Sequence, residues 1–185
     1  ERGRPDAGAG APGPCRVVFV GRLSGEKRLV DLLTAWQKVT VAATRPATLE
    51  LWGTGPDEAD LKALCASLGI ADSVVFLGHV EAVRDRLADM DVFVLTSERE
   101  GNSNAILEAM AAGLPVVSTR VGGTPMQVGQ EGDHFLVEPG DREALCARLV
   151  ELIDDTAVRE RVDQRGHLGY LYPPLRYRGR PGERR

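Results

Sequence analysis

The sequence predicts an α/β domain built on a doubly wound parallel sheet, and three observations carry that prediction. Short apolar runs rich in β-branched residues alternate with longer stretches of helical period along most of the chain. The apolar runs are hydrophobic on both faces rather than on alternate positions, as strands covered by helices on both sides require. Glycines and prolines punctuate the joins.

The elements follow in order. Residues 1–14 (ERGRPDAGAGAPGP) hold Gly, Pro, Ala and charge, and read as a flexible linker. Arg16–Leu23 (RVVFVGRL) is the first strand-like run. Lys27–Ala42 carries Leu29, Leu32, Leu33, Trp36 and Val39 as an apolar helical stripe. Thr48–Gly53 reads as a strand and Glu58–Leu68 as a helix, with Gly69 at the left-handed position that ends many helices. Ser73–Gly78 is a strand, Val83–Met90 a helix and Asp91–Thr96 a strand. Asn104–Ala112 is a helix stopped by Gly113, and Pro115–Thr119 the strand after it. Phe135–Val137 is a short strand and Arg142–Ile153 a helix. The domain is therefore expected to span residues 15–164. Residues 165–185 change character: six arginines, three tyrosines and three prolines follow no period, and read as an atypical, basic, disordered tail.

Composition narrows the function classes. The chain has 185 residues, enough for one domain with a real core and too few for two ordinary ones. A net charge of −4 supplies no overall field for nucleic acid, and no nucleic-acid partner is expected. No apolar run is long enough for a transmembrane helix, and the N-terminus lacks the apolar segment of a signal peptide. Without a targeting signal the protein is expected to be cytoplasmic. Cys15, Cys65 and Cys146 are odd in number, widely spaced and free of CxxC pairs. They argue against a disulfide framework or a zinc site. His79, His134 and His167 have no metal spacing.

In sheets of this kind ligands sit beyond the C-terminal ends of the strands, so chemistry is sought in the loops after residues 21, 53, 78, 97 and 121. The most informative stretch is Ser97–Gly113 (SEREGNSNAILEAMAAG). A strand ends, a polar loop with Gly101 follows, and a helix starts near Asn102–Asn104. Ser and Asn suit the cap, and the free N–H groups with the positive end of the helix dipole form an anion site. Glu100 precedes that helix and Glu108 lies inside it among apolar residues. Taken alone, Glu108 reads as a solvent-facing acid or one bonded to neighbouring backbone, and Glu100 as an ordinary loop charge. In Gly21-Arg22-Leu23-Ser24-Gly25-Glu26-Lys27, two cations flank a helix start. They are either surface charges or a diphosphate clamp, Arg22 supplying forked donors and Lys27 a point charge. Gly53-Thr54-Gly55-Pro56 lacks the third glycine of a dinucleotide fingerprint, which argues against NAD.

Glu100, seven residues, then Glu108 resembles the Glu-x7-Glu signature of retaining glycosyltransferases of the GT-B fold, most closely their large family 4. EGNSNAILEAMAAGLPVVST is the core of the resemblance, and the wider match runs from Arg16 to Asp163. It implies that this chain is the Rossmann-like, C-terminal, donor-binding half of a GT-B enzyme. The substrate implied is a nucleoside diphosphate sugar, whose hexose passes to a hydroxyl acceptor with retention. Glu108 would take the ribose hydroxyls and Glu100 would lie near the donor sugar. Backbone groups of Gly101, Asn102, Ser103 and Asn104 would meet sugar and phosphate oxygens. Arg22 and Lys27, with Gly21, would neutralise the leaving diphosphate, so no metal is expected. Gly53 and Gly55 would border the pocket, with His79 and Val80 beside the nucleobase. His79 read alone is equally an exposed loop histidine. Val121–Pro125 resembles a glycine loop near the donor sugar. The missing N-terminal half would bind the acceptor, so the fragment is expected to be inactive alone. The full enzyme would have scope for peripheral membrane contact.

Three departures favour an alternative, a degenerate module of the same fold that binds nucleotide sugar without catalysis. Met126 stands where the family has an acid, His134-Phe135 stands where it has Gly, and its last helix is not recognisable beyond about residue 164. A nucleotide-sugar epimerase is disfavoured by the acidic motif, and a dehydrogenase or methyltransferase by the incomplete glycine fingerprint.

Overall fold

The computed structural model describes residues 13–159. Residues 1–12 of the expected linker, residues 160–164 and the expected tail lie outside the described residues. The elements are β1 (Cys15–Val20), α1 (Leu29–Ala42), β2 (Ala47–Trp52), α2 (Glu58–Leu68), β3 (Val74–Gly78), α3 (Val83–Leu87), β4 (Val92–Leu95), α4 (Asn104–Ala111), β5 (Val116–Thr119), α5 (Thr124–Gly132), β6 (Leu136–Val137) and α6 (Arg142–Asp154). The six strands form one sheet in the order β3-β2-β1-β4-β5-β6, and every pairing is parallel. This is the doubly wound α/β fold expected. The strand order reverses beside β1, which pairs β2 along its whole length and β4 through Val17↔Val92 and Val18↔Phe93. A crevice opens beyond the C-terminal ends of β1 and β4, because their connections leave in opposite directions.

Helices cover the sheet, with α1 packed on α2 and α6 and α3 on α4. The central strands meet water on neither face, and all four residues of β4 and of β5 are buried, whereas edge strand β3 leaves Val75 and Leu77 exposed. Trp36, Trp52, Phe19 and Phe93 are among the largest fully buried side chains. Burying one such side chain contributes about 1.5–3 kcal/mol. Glu50 is the exception on β2, 8% exposed in the middle of a strand. It is tolerated because its oxygens accept hydrogen bonds from Arg16 Nη2 at 2.8 Å and the indole N–H of Trp52 at 2.8 Å. The three cysteines are free and buried. Burial, the largest influence on it, pushes the Cys15 thiol up to about 11.

Four departures from the sequence expectations have physical causes. The first strand ends at Val20 because Gly21 turns the chain, so Arg22 and Leu23 belong to the loop. Lys27 precedes α1, in a 3-10 turn over Gly25–Lys27, and α1 starts at Leu29 after the left-handed Arg28. Phe135 is buried at the end of a second such turn, Asp133–Phe135, so its bulk fills the core rather than extending a strand. α5 was not expected: Thr124 and Pro125 open a helix, with Pro in its first turn, where its missing N–H costs nothing. Gly129 breaks the helical backbone inside α5, which weakened its period in the sequence.

Candidate functional site

Two loops face each other across the crevice. The first leaves β1 through Gly21, Arg22 and the turn Gly25–Lys27. The second leaves β4 through Thr96, Ser97 and Glu100 to Ser103. Hydrogen bonds stitch them together. Thr96 Oγ1 donates to the Lys27 carbonyl at 2.8 Å, and the Glu98 N–H to the Glu26 carbonyl at 2.8 Å. Lys27 Nζ reaches Glu100 Oε1 at 2.6 Å, and Ser97 Oγ donates to the same oxygen at 2.6 Å. The side chains of Lys27 and Glu100 are only 18% and 12% exposed. The pair is therefore held in a partly dry place, where its charges act at greater strength than on the surface.

Ser103 caps α4, its Oγ accepting from the Ile106 N–H at 3.4 Å. Asn104 opens the helix, and Gly101, Asn102 and Asn104 are exposed. The Ser103 N–H is already engaged: it donates to Gln127 Oε1 at 3.0 Å, while Gln127 Nε2 donates to the Ser103 carbonyl at 3.1 Å. Gln127, 3% exposed on α5, thus holds both backbone polar groups of Ser103. Glu108 lies partly buried on α4. Among the described residues its carboxylate makes no hydrogen bond or ion pair, and the same holds for the exposed side chains of Arg22 and His79. Val80 is buried beside His79.

Glycines let the loops approach. A Cβ at Gly53 would lie 1.9 Å from the Gly21 carbonyl oxygen, and one at Gly55 2.0 Å from the Leu23 carbonyl oxygen. The loops after β1 and β2 touch backbone to backbone there, which accounts for both glycines without a ligand. A Cβ at Gly122 would lie 1.5 Å from the Glu100 carbonyl oxygen, and the Gly123 N–H donates to the Gly101 carbonyl at 2.9 Å. Val121–Gly123 is therefore the shelf on which the Glu100 loop rests.

The structure thus joins Lys27 to the loop of Glu100, Gly101 and Ser103, while Gly21 packs against Gly53, and Leu23 against Gly55. Arg22 enters no described contact with them. Sequence reasoning missed Gln127, Thr119 and the role of Ser97. Thr119 Oγ1 donates to the Ser97 carbonyl at 2.6 Å. The helix-start signal of Thr124-Pro125 could have found α5 and with it Gln127. No feature of the sequence announces the Thr119 contact. Among the described residues no group of His, Cys, Asp or Glu could hold a metal ion, and no helix is long and apolar enough to cross a membrane.

Comparison with known proteins gives the family and the fold. The family model for glycosyl transferases group 1 matches residues 14–155. LpsE of Rhizobium meliloti, a lipopolysaccharide core biosynthesis glycosyltransferase, is 35% identical over 168 residues, covering 90% of this chain and 47% of that protein. The chain spans less than half the length of such relatives. Anabaena Alr3699/HepE, solved in complex with UDP and glucose, superposes with a TM-score of 0.75 at 26% identity, over 83% of this chain and 42% of that one. The C-terminal domain of the group 1 protein LpcC from Francisella tularensis has the same fold, with a TM-score of 0.75 at 23% identity and 84% of both chains covered. A doubly wound domain with two linked loops at its switch point, a family match over most of its length and a fold shared with an isolated C-terminal domain lead to one assignment: this chain belongs to the group 1 glycosyltransferases, as a partial, C-terminal-type domain of the GT-B architecture.

Proposed function

We propose that this domain binds a nucleoside diphosphate sugar and forms the donor half of a retaining hexosyltransferase whose acceptor is held by an N-terminal domain. The observation that carries the proposal is the Lys27–Glu100 pair, which joins the two loops at the switch point beside the start of α4. A cation and an acid held in register there suit a diphosphate next to a sugar.

In this reading negative charge grows on the departing diphosphate. Lys27, Arg22 and the amides of Gly101, Asn102 and Asn104 stabilise it. Removing one preorganised donor of that kind costs about 10²–10³ in rate. No metal is required, because side-chain cations supply the charge. Lys27 exchanges Glu100 for phosphate oxygens, and Glu100 then orients sugar hydroxyls while Ser97 keeps its carboxylate in place. Glu108, with no partner among the described residues, takes the two ribose hydroxyls. Gly78, His79 and Val80 border the base. Ser103 acts through its cap rather than its N–H, which Gln127 occupies. The domain by itself transfers no sugar, because the acceptor side of the cleft belongs to the other half.

Titration calorimetry of the chain with UDP, GDP and ADP tests the proposal, UDP first because of the HepE complex. One nucleotide is expected to bind, and Glu108→Ala to weaken it at least about tenfold through loss of two hydrogen bonds to a charged group. A folded chain that binds none of the three overturns it. A second reading, binding without catalysis, draws on Met126, 81% exposed where the family carries an acid. Supplying the N-terminal half in trans separates the two: transfer activity supports the enzyme, and binding without transfer supports the degenerate module.

A further inference from the structure

Lys27 is followed by a residue whose backbone is unusual. Arg28 has φ 48° and ψ 40°, one of two non-glycine residues with positive φ among the described residues. The left-handed region costs an L-residue about 1–2 kcal/mol, and glycine is its usual occupant. Arg28 closes the Gly25–Lys27 turn, its N–H donating to the Gly25 carbonyl at 3.0 Å. It also stands at the N-cap of α1, yet makes no side-chain cap hydrogen bond. Its carbonyl opens α1, accepting from the Asp31 N–H at 2.9 Å and the Leu32 N–H at 3.4 Å, and its side chain is held as well.

The side-chain partner is Asp31. Arg28 Nε donates to Asp31 Oδ2 at 2.6 Å, and Arg142 Nε donates to Asp31 Oδ1 at 2.7 Å. Asp31 is 6% exposed, so its charge depends on those two guanidinium groups. Arg142 is the first residue of α6, 111 positions away in sequence. One step before Arg28, the Lys27 carbonyl is pinned by Thr96 and the Lys27 ammonium points to Glu100. Lys27 therefore sits between the left-handed Arg28 on one side and Thr96, the residue after β4, on the other.

We propose that Asp31, braced by Arg142, is a positioning residue for the donor site: it locks Arg28 in the left-handed conformation that aims Lys27 into the cleft. The proposal deepens the donor-site reading and rests on it only where Lys27 meets phosphate. A helix that contributes no residue to the site, α6, then controls the site's geometry through one buried carboxylate.

The test uses Asp31→Asn, Arg28→Gly and the double variant of this chain, with two readouts. The first is hydrogen exchange at the N–H groups of Lys27 and Arg28, which bond the Ser24 and Gly25 carbonyls at 2.9 and 3.0 Å. The second is titration with UDP, GDP and ADP. Asp31→Asn is expected to speed exchange at those two amides about tenfold and to weaken nucleotide binding by a similar factor. Arg28→Gly is expected to stay within about twofold of the parent, because glycine takes this φ without a clamp. In that background Asp31→Asn should add nothing. Unchanged exchange in Asp31→Asn overturns the proposal, as does a uniform rise across the whole sheet, the mark of a merely structural role. An equal loss in the Arg28→Gly background overturns it too. Should Asp31→Asn fail to fold, Arg142→Gln removes only the far arm of the clamp and must give the same local pattern at smaller size. If the parent binds no nucleotide, the donor-site reading falls, and the exchange readout still decides whether Asp31 sets the Lys27 turn.

Discussion

Between β4 and α4 several polar groups are held by distant segments, whereas between β3 and α3 few described ones are. In the first loop the Ser97 carbonyl is bonded by Thr119, the Glu98 N–H by Glu26, the Glu100 carboxylate by Lys27 and Ser97, and the Ser103 peptide by Gln127. In the second, the Gly78 carbonyl accepts from Gly53, and Ala82, left-handed at φ 50°, starts the short α3. His79 and Glu81 are exposed there without described partners. Groups that meet developing charge are useful only if they are aimed beforehand, since reorienting them costs energy at the moment of reaction. A segment that borders a flat base through its backbone can adjust as the ligand arrives, and such segments come from the loosely bonded end of a protein.

The largest effect is expected from Gly122→Ala. Its Cβ would lie 1.5 Å from the Glu100 carbonyl oxygen at a backbone φ of +50°. The Val121–Gly123 shelf and the Glu100 loop must separate, at a cost of about 3 kcal/mol in urea unfolding. A loss below about 1 kcal/mol would mean that the β4–α4 loop yields as readily as the β3–α3 loop, and the contrast would fail. Gln127→Leu comes next. It strands the Ser103 N–H, while the carbonyl keeps the Leu107 N–H at 3.2 Å, and about 2 kcal/mol is expected to be lost, with faster hydrogen exchange at the Ser103 amide. Slow exchange there in the variant would show that the cap alone orders the loop. His79→Ala should be the mildest, within about 0.5 kcal/mol of the parent in stability. In titrations it should move the ranking of UDP, GDP and ADP more than the affinity for any one. A loss in stability as large as that of Gln127→Leu would place the β3–α3 loop among the preorganised ones.

Much of the fold was legible because its signals are local. Two-sided apolar runs marked all six strands to within a few residues, and the Leu29–Val39 stripe marked α1. α5 escaped because Gly129 interrupts its period and its sequence carries few apolar residues, leaving only Thr124-Pro125 as a start signal. The site was half legible. Glu100, Ser103 and Glu108 sit in one contiguous motif, and Lys27 in another, so residue types and spacing singled them out. Gln127, Thr119 and the Arg28–Asp31–Arg142 clamp were not, because each is a contact between distant segments through side chains that are ordinary where they stand. Asp31 reads in sequence as a favourable acid in the first turn of a helix. Its second partner lies 111 residues on.

By itself the sequence determined which stretches become strands and most of the helices, that the sheet is parallel with a buried centre, and which loops hold the acids and cations. Those properties follow from hydrophobic period and turn chemistry, which act over a few residues. Only the tertiary structure decided that Lys27 and Glu100 bond each other, that the Ser103 amide is taken by Gln127, and that Arg28 is held left-handed from α6. Hydrogen bonds and ion pairs depend on distances of a few ångströms between segments far apart in the chain, and packing alone sets those distances.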